Sequence, residues 1–110
     1  MTKTASKAAA GAPTRKTKTV DYDVSEQLRT PDEMAAYLDA WLEEAPEDAA
    51  GIARALGDIA RAKGMTQVAR DAGLSRESLY KALGENGNPS FATVLKVVRA
   101  LGVRFHAEAA

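Results

Sequence analysis

Residues 65–83 read MTQVARDAGLSRESLYKAL, and no other part of the chain constrains the fold as strongly. The pattern predicts two short helices on either side of a turn. Thr66 is the expected N-cap of the first helix, Gly73 supplies the left-handed residue that ends it, and Ser75 caps the second helix at once. Two short helices joined by a glycine turn must cross steeply, which is the geometry of a helix-turn-helix.

The predicted helix 75–83 has two chemically different faces. Its inner face is apolar and comprises Leu79, Ala82 and Leu83, joined by Leu74 and by Ala69 of the preceding helix. Its outer face is polar or amphipathic and comprises Ser75, Arg76, Glu77, Tyr80 and Lys81. A helix that reads DNA needs such an arrangement, with hydrogen-bonding side chains exposed from its first turn and an apolar face held against the protein.

The outer residues differ in what they could contact on DNA. Arg76 has a planar guanidinium that suits guanine O6 and N7, so it is the first candidate for base readout. Glu77 could accept from a cytosine amino group, or it could simply stabilise the helix N-terminus. Tyr80 and Lys81 lie one turn further along, where the DNA backbone or thymine methyl groups are the expected contacts.

Thr66 and Gln67 open the first helix of the pair, where hydroxyl, amide and free backbone N–H groups suit phosphate binding. Helix pairs with a glycine turn also occur in proteins that never meet DNA. Most exposed arginines contact only solvent, and on this alternative interpretation Arg76 is one of them. DNA readout is the favoured interpretation of the pattern.

Three further helices flank this pair. Thr30, Pro31 and Glu33 form a capping-box signature for a helix over 31–45. Pro46 opens a second helix over 47–63, which ends at Gly64. Ser90 caps the last helix, which Gly102 ends, and its apolar stripe comprises Phe91, Val94, Leu95, Val98 and Leu101.

The sequence therefore predicts an all-α, five-helix domain over 31–107, with a short C-terminal strand at 103–107 where apolar and polar residues alternate. A lone strand has no partner in an all-helical chain, so a second copy is its expected partner. Residues 1–18 are expected to be a disordered basic tail, either an arm for phosphates or a solubilising extension. Residues 19–30 are expected to be an extended arm that docks through its apolar anchors.

Charge is strongly segregated although the net charge is zero. Residues 1–20 carry five basic groups and no acid, residues 21–50 carry ten acids against Arg29 alone, and residues 51–110 carry nine bases against five acids. An acidic run is usually a solvated helix face, but this density permits a basic protein partner.

Several classes of protein are excluded or disfavoured. The absence of cysteine excludes disulfide scaffolds, thiolate metal sites and thiol catalysis, and it favours a cytoplasmic location. No apolar run approaches the roughly 20 residues of a membrane span, and the N-terminus is not a secretory signal. The single histidine, His106, cannot by itself form a multi-histidine metal site or a hydrolytic triad, and no group of polar residues falls at a catalytic spacing. We therefore expect no enzyme activity, no metal and no cofactor.

The segment GDIARAKGMTQVARDAGLSRESLYKALGENGNPSFATVLKVVRALGVRF, residues 57–105, resembles the HigA-like addiction-module antidote proteins, antitoxins with a Cro/repressor-type helix-turn-helix. The resemblance extends upstream to about Thr19 through the first helix, AAYLDAWLEEA. On this resemblance the DNA-facing positions fall on Ser75, Arg76, Glu77, Tyr80 and Lys81, and the structural positions on Ala69, Gly73 and Leu79. One departure is Met65, which stands where phage repressors often have glutamine, while Gln67 lies two positions later.

The resemblance implies an antitoxin that silences a toxin of the RelE/ParE superfamily, forms a homodimer and represses its own operon by binding an operator in double-stranded DNA. The acidic charge and the apolar anchors suggest where a basic toxin would bind: Val20, Tyr22, Val24, Trp41, Glu43, Glu44 and Glu47. Trp41 could equally be a core residue. Two alternatives to an antitoxin stay open: a phage-like transcription regulator without a toxin, and a protein-interaction module with a vestigial helix-turn-helix.

Overall fold

The computed structural model describes residues 24–110. A short 3₁₀ helix, Val24–Gln27, precedes five α-helices, and no strand forms within this range. The α-helices are α1 (Pro31–Glu44), α2 (Ala49–Lys63), α3 (Met65–Ala72), α4 (Arg76–Leu83) and α5 (Phe91–Ala100). The predicted all-α architecture with five helices is confirmed, whereas the predictions for residues 1–18, Val20 and Tyr22 lie outside the described residues.

The first helix begins as its capping box predicts. The Glu33 N–H donates to Thr30 Oγ1 over 3.1 Å, and the Thr30 N–H donates to Glu33 Oε1 over 3.0 Å. The Arg29 N–H also donates to Glu33 Oε1, over 2.8 Å. These donors stabilise the ionised carboxylate, so the pKa of Glu33 is lowered, chiefly by the hydrogen bond from the Arg29 backbone.

The starts of α2 and α3 differ from the sequence predictions. Pro46 does not open α2, because a turn closed by the Asp48 N–H donating to the Ala45 carbonyl includes it. The Asp48 carboxylate then caps the helix by accepting from the Gly51 N–H over 2.9 Å. Thr66 does not cap α3, because Gly64, at φ 117°, turns the chain within one residue and makes Met65 the first helical residue.

The turn between α3 and α4 forms as predicted. Gly73 adopts the left-handed conformation at φ 74°, and the Leu74 N–H returns to the Ala69 carbonyl over 2.8 Å. Ser75 caps α4 by accepting from the Ser78 N–H over 2.9 Å. The two helices contact each other across this turn.

A single apolar core holds the helices together. Helix α2 is central and contacts α1, α3, α4 and the 3₁₀ helix, while α5 packs on α3. The largest side chains with no meaningful exposure come from four helices and the residue after α5: Leu56, Ile59, Val68, Leu79, Val97 and Leu101. Helices α2 and α4 approach closely at Gly57, where a Cβ would lie 3.1 Å from the Leu83 carbonyl oxygen.

Two further predictions need correction. The strand at 103–107 does not form, because a strand requires backbone partners on a neighbouring strand and residues 24–110 supply none. The arm over 19–30 is not extended in its described part, because Val24–Gln27 is a 3₁₀ helix that brings Leu28 into the core at 6% exposure.

The apolar stripe of α5 is also rotated from the predicted one. Val97 and Val98 are buried, whereas Phe91 is 69% exposed and Leu95 is 45% exposed. Six large apolar residues on a ten-residue helix and its cap cover more than one face, so the core can take only part of them. In the part of the chain that the structure describes, no helix has both the length and the hydropathy needed to cross a membrane.

Candidate nucleic-acid interface and partner surfaces

The outer face of α4 is open to solvent along its whole length. Leu79 on its inner face is completely buried, and Leu83 is 4% exposed, so the helix is held by its apolar side. All five outer candidates, Ser75, Arg76, Glu77, Tyr80 and Lys81, are exposed. The sequence prediction of which side chains face solvent on this helix is therefore confirmed.

Within this face the structure brings Arg76 and Tyr80 together. Arg76 Nη2 lies 3.3 Å from the Tyr80 hydroxyl, and Arg76 Cζ lies 5.4 Å from the centroid of the Tyr80 ring. Both distances suit a hydrogen bond and a cation–π contact between residues one helical turn apart. The Ser75 hydroxyl donates to Ser78 Oγ over 2.8 Å, and Ser78 is a residue that the sequence prediction did not include.

Thr66 and Gln67 lie in the first turn of α3 and are exposed. No side chain caps this helix, because its N-cap is Gly64. The N–H groups of the first turn therefore have no competing side-chain acceptor, which leaves them suited to an anionic group.

The exposed basic side chains around α3, α4 and α5 are not neutralised by carboxylates. Among the described residues the one ion pair joins Arg61 to Asp58, on α2. The exposed bases on or directly after α3, α4 and α5 are Arg70, Arg76, Lys81, Lys96, Arg99 and Arg104, and none of them belongs to that pair. Their charge is available to a polyanion.

A polar network joins α1 to α2. The Tyr37 hydroxyl donates to Asp58 Oδ2 over 2.8 Å, and Arg61 Nη2 donates to Asp58 Oδ1. Burial raises the pKa of Tyr37, and the negative charge of Asp58 raises it further. No pattern in the sequence marks this network, because the two helices meet only in the folded chain.

Trp41, a predicted partner contact, lies inside the molecule at 8% exposure. Its ring packs on the backbone of α2 at Gly51, where a Cβ would lie 2.5 Å from Trp41 Cζ3. Trp41 Nε1 is buried with no hydrogen-bond partner in the described structure. In this conformation the ring supports the α1–α2 packing and offers no surface to a partner.

Three of the other predicted partner contacts lie at the end of α1 and in the turn that follows, and a fourth, Val24, begins the 3₁₀ helix. Glu43, Glu44 and Glu47 are exposed, and Val24 is half-buried. A groove of about 760 Å³ runs between α1 and residues 103–110. Apolar Leu38 and Leu42 line it together with acidic Asp39 and Glu43, so it combines an apolar floor with negative charge.

A second surface is apolar and was not anticipated. Phe91 and Leu95 on α5 and Phe105, which is 41% exposed, are three of the four large apolar side chains exposed in the described chain. Leu95, Val103 and Phe105 line a groove of about 660 Å³, with Arg99 and Arg104 also among its residues. The excess of apolar residues on α5 is the sequence signal that could have revealed this surface.

No group of three His, Cys, Asp or Glu side chains within residues 24–110 is placed to hold a metal ion.

Comparison with known proteins gives two matches. The model of a family described as "Probable addiction module antidote protein" matches residues 18–109. An uncharacterized protein of Haemophilus influenzae is 52% identical over 88 residues, which are 80% of this chain and 89% of that protein. No solved structure matches the chain at a significant level.

Proposed function

The chain belongs to the family of probable addiction module antidote proteins, and on this premise we propose that it is the antitoxin of a type II toxin–antitoxin module. It binds and silences a toxin of the RelE/ParE type and represses its own operon through sequence-specific DNA binding. It acts in the cytoplasm by binding and not by catalysis, and its helix pair α3–α4 is a helix-turn-helix of the Cro/repressor kind, as in HigA-like antitoxins.

The observation that carries the DNA-binding proposal is the two-sided packing of α4. Its apolar face is sealed at Leu79, while its outer side chains are exposed and begin at the helix N-terminus, the end that such helices direct at base edges. Arg76 and Lys81 have no carboxylate within ion-pair distance among the described residues. Thr66 and Gln67 then meet phosphates beside the groove that α4 enters.

The acidic surface at the end of α1 supports the toxin-binding proposal. Enzymes that cleave RNA need positive charge to bind their substrate, and exposed Glu43, Glu44 and Glu47 would attract such a surface. The groove beside them is partly apolar, so a bound toxin could bury apolar side chains there as well as form charge contacts. Val20 and Tyr22 stay predictions that lie outside the described residues.

The apolar surface of Phe91, Leu95 and Phe105 supports a homodimer. A second copy related by a two-fold axis would bring the same three side chains of each protomer together and remove them from water. A dimer would present two α4 helices, which a pseudo-palindromic operator requires.

The decisive test of toxin neutralisation is co-expression with the product of the adjacent reading frame. We expect the two proteins to co-purify, and we expect this chain to restore growth that the partner arrests. The charge-reversed variant E43K/E44K/E47K should lose both effects, because it removes the acidic surface without touching the core. The matched control D71K/E85K, at exposed positions elsewhere, should keep both.

Normal capture by E43K/E44K/E47K would remove the acidic surface from the toxin-binding site. A chain that binds operator DNA but captures no neighbouring product would instead be a stand-alone transcription regulator. DNA binding by the purified protein should weaken steeply with salt, since each displaced phosphate counterion contributes to the slope.

A further inference from the structure

Arg76 makes a specific pair of contacts before any ligand is present. It is the first residue of α4, and its guanidinium lies over the ring of Tyr80 and within hydrogen-bond distance of the Tyr80 hydroxyl. No carboxylate lies within ion-pair distance of it in the described part of the chain, although Glu77 is its neighbour in sequence. Tyr80 is therefore the group that orders the Arg76 side chain.

This ordering has a consequence for recognition. An arginine side chain has many rotamers, and fixing them on binding opposes affinity. A guanidinium already held against a ring loses less freedom when it meets its ligand. Because an aromatic face holds the cation through its quadrupole, the positive charge is kept, whereas a carboxylate partner would cancel it.

The hydrogen-bonding capacity of Arg76 also remains largely open. A guanidinium has five N–H donors in a fixed fork, and the Tyr80 hydroxyl takes one of them. The donors that remain are enough for the two parallel hydrogen bonds that a guanine offers through O6 and N7. Tyr80 itself is 47% exposed, so the rest of the protein does not cover the side chain that holds Arg76.

We propose that Tyr80 is a positioning residue for Arg76, and that the two side chains read one guanine in each half-site as a single unit. The inference rests on the proposed DNA binding of α4 and deepens it. The competing role for Tyr80 is a contact of its own, with a thymine methyl or a phosphate, which would act independently of Arg76.

The experiment uses the full-length protein and a duplex that it selects from a random DNA library. The guanine preference is the ratio of the affinities for this duplex and for the same duplex with one G·C pair replaced by A·T. A bidentate arginine contact gives a ratio of about 5 to 150, and R76A should abolish it at one position in each half-site. The guanine preference at that position is then measured for the Tyr80 variants.

We expect Y80L to lower the guanine preference toward that of R76A, and Y80F, which keeps the ring and loses the hydroxyl, to retain most of it. In the R76A background, Y80L should have no further effect, because nothing remains for Tyr80 to position. The matched control K81A should weaken binding to both duplexes equally. Circular dichroism and thermal unfolding of each variant verify that its helix content and stability match those of the wild type.

An unchanged guanine preference in folded Y80L would overturn the inference. It would also be overturned if Y80L lowered the DNA affinity by the same factor in the wild type and in the R76A background. Both outcomes leave the proposed DNA binding standing. Failure of the wild-type protein to select any sequence would overturn the proposed function itself, and the positioning role with it.

Discussion

At the scale of single residues, Tyr37 links local chemistry to the stability of the whole fold. Its hydroxyl donates to Asp58 across the contact between α1 and α2, and Arg61 binds the other carboxylate oxygen. The phenol is partly buried beside a negative charge, and both effects oppose its ionisation. The α1–α2 contact is therefore sensitive to the protonation of a single side chain.

Stability should consequently fall at high pH, and Tyr37 should contribute to the fall. Below its ordinary pKa of 10.0 the phenol is protonated in both the folded and the unfolded chain. Above that pH the unfolded chain ionises Tyr37 while the folded chain resists, so stability is lost by up to about 1 kcal/mol per pH unit once partial exposure is discounted. Urea unfolding of wild type and Y37F at pH 8 and pH 11 measures the effect.

Y37F removes the ionisable group and should show a shallower loss of stability between these two pH values than wild type. At pH 8 it should be less stable by about 1 kcal/mol, because one hydrogen bond to Asp58 is lost. If the free energy of unfolding changed equally with pH in the two proteins, the pKa of Tyr37 would be the same in the folded and the unfolded chain, and the prediction would be wrong.

At the scale of elements, the N-cap of α4 stabilises the helix and lies on the face that we propose to meet DNA. The helix has only eight residues, so it is stable only with tertiary packing and capped ends. Ser75 Oγ accepts from the Ser78 N–H, and the same side chain is exposed on the face proposed to meet DNA. Substitutions at Ser75 can separate these two roles.

We expect S75A to lower the free energy of unfolding by about 1 kcal/mol, because the cap acceptor is removed. S75D should stay close to wild type in stability, since aspartate caps helices as well as serine does and its charge suits the helix N-terminus. S75D should nevertheless bind DNA more weakly than S75A does, because it places a carboxylate beside phosphates. Thermal unfolding and fluorescence anisotropy with labelled duplex measure the two quantities.

A matched pair at the start of α1 controls for general effects of capping. T30A removes an equivalent cap, and T30D keeps one, at a site far from α4 in the chain. Neither should change DNA affinity in the folded protein. If S75D bound DNA as tightly as wild type, the N-terminus of α4 would not face the duplex.

At the scale of the whole molecule, the surface divides by chemistry. Acidic side chains cluster at the end of α1 and the turn to α2, and five of the nine exposed bases of the described chain lie on α3, α4 and α5. Three of the four large exposed apolar side chains lie on α5 and the segment that follows. Covering Phe91, Leu95 and Phe105 would remove exposed apolar surface from water, which is favourable. The proposed dimer places these three residues at its centre.

L95K should therefore convert a dimer to a monomer without unfolding it, because Leu95 is 45% exposed in the single chain. Sedimentation equilibrium gives the mass, and circular dichroism verifies the helices. The affinity for a duplex with two half-sites should fall by about tenfold or more, since the two α4 helices are no longer linked.

Q27K adds the same charge at an exposed position on the 3₁₀ helix, outside the proposed interface, and it should remain a dimer. A monomeric wild-type protein, or an L95K variant that keeps the wild-type mass, would contradict the dimer interface. In either case the apolar surface would have another occupant.

Much of this architecture could be predicted from residues close in sequence. The capping box at Thr30, the left-handed Gly73 and the cap at Ser75 each act within a few positions, so their hydrogen bonds form wherever the helix forms. The inner and outer faces of α4 follow from helical periodicity for the same reason. The misplaced starts of α2 and α3 arose where two local signals competed, Pro46 with Asp48 and Thr66 with Gly64.

The segregation of charge, the five helices and the polar face that begins at Ser75 are therefore properties that the linear order of the residues specifies. The burial of Trp41, the bond from Tyr37 to Asp58, the exposure of Phe91 and Leu95 and the absence of a strand at 103–107 follow only from the packed chain. The physical reason is that each of these depends on which face of a helix its neighbours cover, or on whether a backbone partner is present, and both are set by contacts between residues far apart in sequence.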